Sequence, residues 1–100
     1  MTFSQEDFRQ WLESKNPKEI VGARRTETNC PISTFLKIKF KLKKVQVKIS
    51  TFNLGDGWIA SPNWLENFVF LVEDSDFYNI SAEDALVILD RVVSLHNISG

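Results

Sequence analysis

Apolar residues fall into helical stripes toward both ends of the chain and into strict alternation in its middle. From Ser81 to His96, Ala82, Ala85, Leu86, Leu89, Val92, Val93 and His96 share one face at about 3.6 residues per turn, with Glu83, Asp84, Asp90, Arg91 and Ser94 opposite. Ser81 stands where a helix cap belongs, and Asp84 takes the reciprocal position of a capping box. The spacing predicts a helix whose wide apolar stripe must be covered.

A first helix is announced by Ser4 as N-cap, Asp7 in its first turn, and Phe3 and Phe8 in staple positions. Phe8, Trp11 and Leu12 form its apolar face, and Asn16-Pro17 ends it, because a residue before proline avoids helical angles. One further short turn is predicted over Pro17 to Val21, with Gly22 as a left-handed stop, then an exposed loop over residues 23–29. Another helix is predicted from Ser61-Pro62, cap and then proline in the first turn, with the stripe Trp64, Leu65, Phe68, Leu71 and Val72. It ends at Glu73-Asp74-Ser75-Asp76. The short link to Ser81 makes the last two helices antiparallel neighbours.

Between them two periods compete. Ile32, Phe35 and Leu36 have helical spacing after Pro31, while Leu36, Ile38, Phe40 and Leu42 alternate with Lys37, Lys39, Lys41 and Lys43 as a strand would. The phase slips at Lys43-Lys44, a pair lacking the positive-φ tolerance of a two-residue hairpin turn. We expect a helix from Pro31 to about Lys39, a kinked passage, and a strand from Lys44 to Thr51. A hairpin of 35–42 with 45–52 is the alternative. Thr51 to Gly57 carries turn residues, and Trp58-Ile59-Ala60 returns as a short strand beside 45–51. The expected fold is α+β, a single domain over residues 1–100, with four helices and a short antiparallel two-stranded sheet.

Composition fits such a domain: 43% of its 100 residues are hydrophobic and 25% charged. Neither apolar run, Phe68 to Val72 nor Ala85 to Leu89, approaches the roughly 20 residues of a membrane span. The first residues carry acids where a secretion signal needs bases. A lone cysteine, Cys30, has no partner for an internal disulfide. These features imply a cytoplasmic protein. Asn79-Ile80-Ser81 and Asn97-Ile98-Ser99 fit the glycosylation sequon, which without secretion is a chance match.

The net charge of −1 conceals a segregation. Residues 1–50 hold eleven bases against five acids, net +6, and residues 51–100 hold one base against eight acids, net −7. Asymmetry of this kind bears on partners more than on fold.

Trp11-Leu12, Val21-Gly22, Cys30-Pro31-Ile32, Phe35-Leu36, the Pro62-x-Trp64-Leu65 helix start and the Ala85-Leu86-x-x-Leu89-Asp90 helix form a pattern. It resembles that of small uncharacterised proteins of bacteria and their phages with a "WL…VG…CPL…YL" signature. The resemblance implies a helix after Cys30 and a bacterial or phage origin. It implies no activity and assigns no functional residue.

No catalytic signature is present. With one histidine, His96, and one cysteine, the chain cannot supply a zinc site alone. Asp74-x-Asp76 opens like a calcium loop, but the later ligand and glycine positions are not filled. His96 reads as a packed residue at a helix C-terminus. Cys30 reads as a small buried or capping residue, although a thiol at a helix start can ionise readily. We therefore expect no enzyme, cofactor or metal.

The lysine segment is the strongest functional signal: Lys37, Lys39, Lys41, Lys43, Lys44 and Lys48 crowd into twelve positions. Extended, it would make a positive ridge able to follow phosphates, although lysines also protect sheet edges. The aromatic residues do not interleave with these lysines, so no base-stacking platform is expected. Arg24, Arg25, Lys39, Lys41, Lys43, Lys44 and Lys48 are the candidate contacts to a partner or to nucleic acid. Glu66, Phe70, Glu73 and Val87 are the candidate acidic and apolar interface, since Phe70 and Val87 fall outside their helices' stripes. The expected function is a non-enzymatic protein–protein interaction module, an inhibitor or adaptor acting on a host nucleic-acid-handling complex. The alternative is a small nucleic-acid-binding protein using Lys37 to Lys48. A homodimer is compatible with either.

Overall fold

In this computed structural model, residues 2–24, 26–76 and 78–99 are described, residues 93–99 by their backbone alone. Along the chain run α1 (Gln5–Glu13), β1 (Ile20–Ala23), α2 (Pro31–Phe40), β2 (Gln46–Val47), β3 (Thr51–Asn53), β4 (Trp58–Ala60), α3 (Asn63–Asp74), β5 (Asn79–Ser81) and α4 (Ala82–Ser99). The α+β class and the four helices agree with the sequence pattern. The sheet does not: two antiparallel sheets form, β1-β5 and β2-β3-β4, where one of two strands was expected.

α1 begins as its residues dictate. Ser4 Oγ accepts the Asp7 N–H at 3.1 Å and Asp7 Oδ2 accepts the Ser4 N–H at 3.0 Å, a complete capping box. Phe8 then enters a nest of rings, 5.1 Å from Phe68 and 5.2 Å from Phe35, centroid to centroid. Phe3 reaches the same nest through Phe35 and Trp64. Such pairs add to what burial alone contributes.

Residues 20–23 form a strand and not the end of a helical turn. β1 runs antiparallel to β5, with Ile20 opposite Ser81, Gly22 opposite Ile80, and a bulge between them. Gly22 has no left-handed φ. It is glycine because a Cβ there would meet the backbone of Asn29, Cys30 and Pro31 at 2.5–2.7 Å. Ala23 belongs to this strand, so the exposed loop starts one residue later than predicted.

The helical reading of residues 31–40 wins over the hairpin. Cys30 is the N-cap, its Sγ accepting the Ser33 N–H at 3.4 Å, and Pro31 suits the first turn. Burial of Ile32, Phe35 and Leu36 fixes this helix against the core. Lys41 ends it in left-handed conformation, φ 55° and ψ 45°, while the Leu42 N–H reaches back to the Lys37 carbonyl at 2.9 Å.

The single strand expected over 44–51 is instead β2, a tight turn at Ile49-Ser50, and β3. β4 pairs with β3, Phe52 opposite Ile59, and does not lie beside 45–47. Ser61 does not cap α3: its N–H is drawn to the Ser50 carbonyl at 2.9 Å, extending the sheet. The N-cap falls on Pro62, with no side-chain bond.

α3 and α4 pack on one another, and α4 also covers α1. Ser81 Oγ caps α4 by accepting the Asp84 N–H at 3.2 Å. The buried set includes most of the predicted stripes and adds Val69 and Ile88, while Trp64, Leu71 and Leu86 are only partly covered. His96 and Val93 belong to the portion described by backbone alone. Among the described residues no helix is long and apolar enough to cross a membrane.

Candidate interaction surface

The lysine segment does not form one ridge, because its first part is helical. Lys37 Nζ donates to the Thr28 carbonyl at 2.8 Å, pinning the loop that precedes α2. Lys39 Nζ stands 3.7 Å from Asp7 Oδ2, a loose pair at the start of α1. Lys48 lies on the solvent face of the three-stranded sheet, its Nζ 4.6 Å from the ring centroid of Trp58, a cation–π contact. Trp58 was not singled out from sequence. Its separation from Lys48 hides a pairing that follows once β2, β3 and β4 alternate in register.

Lys41, Lys43 and Lys44 are exposed, and none has a carboxylate within 4.0 Å among the described residues. They occupy the irregular passage between α2 and β2, opened by the left-handed Lys41. A left-handed non-glycine residue costs roughly 1–2 kcal/mol.

Arg24, one of the candidate contacts, makes a structural bond within the chain. Half-buried, its Nη1 donates to the carbonyl of Ser75, the C-cap of α3. That bond ties the end of β1 to the end of α3. Arg25 lies outside the described residues.

On the acidic side, Glu66, Phe70 and Glu73 fall on α3 at successive turns. Phe70 is 56% exposed, and Val87 on α4 is 55% exposed. Glu73 also borders an open groove of about 530 Å³, which it shares with Val69 of α3, with Thr26 and Glu27, and with Val47, Lys48, Ile49 and Ser50. The groove was not visible in the sequence, because it depends on how the β2 turn settles beside α3.

The two charged halves partly satisfy each other. Arg9 Nη2 meets Asp90 Oδ1 at 2.8 Å and Lys18 Nζ meets Glu83 Oε1 at 2.6 Å. The hydrogen bond and charge of Glu83 raise the Lys18 pKa above its ordinary value. Both pairs connect α4 to the N-terminal part of the chain, and neither involves Lys41, Lys43 or Lys44.

The thiol of Cys30 is buried and spent on a cap. Burial pushes its pKa up, outweighing the Ser33 hydrogen bonds that lower it. A nucleophilic cysteine needs the reverse. Among the described residues no three His, Cys, Asp or Glu side chains gather as a metal site would need.

No family model matches the chain, and neither a curated protein nor a solved structure matches it.

Proposed function

We propose that the chain is a non-enzymatic module that recognises another protein through its charge-polarised surface. The observation that carries this reading is the exposed passage of Lys41, Lys43 and Lys44, which meets no carboxylate within 4.0 Å among the described residues. Charges left unpaired beside partnered ones are available to an acidic surface, which they would steer and orient. The opposite sign is offered by α3, where Glu66 precedes the exposed Phe70 by one turn. The buried Cys30 thiol supports a binding role over thiol catalysis.

An inhibitor or adaptor of a nucleic-acid-handling complex, in a bacterial or phage cytoplasm, is the setting we propose; the resemblance of the sequence pattern supplies only the bacterial or phage origin, and the role rests on the charged surface. Nucleic acid itself is the second reading, favoured by Lys48 and Trp58 sharing the outer sheet face near the same passage. Against it, the Trp58 ring already carries Lys48 and offers one aromatic where stacking sites use several.

The test is affinity capture from the native host, wild type beside a K41E/K43E/K44E variant, with titration of single- and double-stranded DNA and RNA at low and high salt. Our reading expects a protein retained by the wild type and lost by the variant, with no nucleic-acid binding at low salt. Steeply salt-dependent nucleic-acid binding, abolished in the variant, would establish the second reading instead. Capture unaffected by the three substitutions would remove the lysine passage from either.

A further inference from the structure

The three-stranded sheet is closed on one side and open on the other. On its β2 side the outward Val47 N–H is taken by the Glu27 carbonyl at 2.8 Å, so the loop before α2 covers that edge. Among the described residues β4 has no such cover: Trp58 is 44% exposed, Ile59 48%, and Ala60 is exposed too.

The phase of the ladder says which groups face outward. Ser61 N–H bonds the Ser50 carbonyl, so the hydrogen-bonded pairs toward β3 are 50 with 61 and, two residues on, 52 with 59. The main-chain N–H and C=O of Trp58 and Ala60 therefore point away from β3. They are symmetric about Ile59.

We propose that β4 pairs antiparallel with β4 of a second copy, about a twofold axis through Ile59, to give one continuous six-stranded sheet. In this register the N–H and C=O groups of Trp58 meet those of Ala60 in the second copy, and the reverse, so every outward donor finds an acceptor. The side chains also complement each other. Trp58 falls opposite the small Ala60 on the solvent face, and the two Ile59 side chains meet on the other face, at a closely spaced pair. A twofold interface needs such self-complementarity.

Charge argues for the same occupant. Residues 57–65, Gly-Trp-Ile-Ala-Ser-Pro-Asn-Trp-Leu, carry no charge in a chain that is 25% charged. Natural edge strands are guarded by lysine, proline or bulges against this pairing. Here the guards are only the shortness of β4 and Pro62, which set the length of the interface at three residues per copy.

Sedimentation of the full chain over a concentration series up to about 1 mM, the weak end of association, tests this, with amide exchange read in parallel. The mass should double as concentration rises, and the amides of Trp58 and Ala60 should slow while those of the α2–β2 passage stay constant. Ile59→Lys should sediment as a monomer throughout with an unchanged circular-dichroism spectrum. If that variant fails to fold, the wild-type amides decide alone. A monomer at every concentration, or a dimer that leaves the Trp58 and Ala60 amides unprotected, overturns the proposal.

Discussion

A Cβ on Gly22 would lie 2.5 Å from the backbone nitrogen of Pro31, closer than any non-bonded pair of such atoms tolerates. β1 thus presses against the start of α2 with backbone on backbone, and neither side can yield as a side chain could.

Gly22→Ala should therefore force β1 away from Pro31 and loosen the β1–β5 pair. We expect a loss of about 1–3 kcal/mol, the range of overpacking in a tight interior. The fall in urea midpoint at constant m measures it. A neutral substitution would mean that the close approach is not part of the fold in solution.

Lys41 closes α2 at φ 55°, a conformation that glycine enters without a Cβ penalty. Lys41→Gly should raise stability by roughly 0.5–1 kcal/mol and weaken capture of an acidic partner. A thermal melt reads the first effect. If stability falls, the left-handed turn is not strained by lysine, and the case for its retention as a binding residue weakens.

Burial holds the Cys30 thiol neutral and raises its pKa above the ordinary value of 9.0. The folded chain then keeps this proton to higher pH than the unfolded chain does, so folding stability falls with pH wherever the two differ. The contribution is fully present below about pH 9 and is lost as pH rises through the folded value. Unfolding followed from neutral to alkaline pH should show this decline, and Cys30→Ala should flatten it. Disulfide-exchange reagents should label the native thiol slowly at neutral pH and the urea-unfolded one fast. Equal rates would place the thiol at the surface.

Local signals reported the helices well. The Ser4–Asp7 capping box, Cys30-Pro31 before Ile32 and Phe35, and Ser81 before Ala82 are each short-range and agree with the elements that form. Strand pairing was less legible, because it joins distant segments. β1 and β5 are too short to alternate visibly, and the ladder that holds Ser61 against Ser50 diverts it from capping α3. At the surface, clustering in sequence overstated clustering in space. Lys37 points to a carbonyl, Lys39 to Asp7 and Lys48 to a ring, leaving Lys41, Lys43 and Lys44 as the part of the segment without a carboxylate partner among the described residues. Arg24 looked like a loop charge because its acceptor, the Ser75 carbonyl, lies fifty-one positions away.

The most direct measurement is the urea-unfolding free energy of a K43Q/K44Q variant against the wild type. Exposed lysines that meet no carboxylate among the described residues add little to folding, so the two values should agree within about 0.5 kcal/mol. A loss well above 1 kcal/mol, beyond what an exposed pair contributes, would show that these charges are held by carboxylates of the same molecule and are not free for a partner.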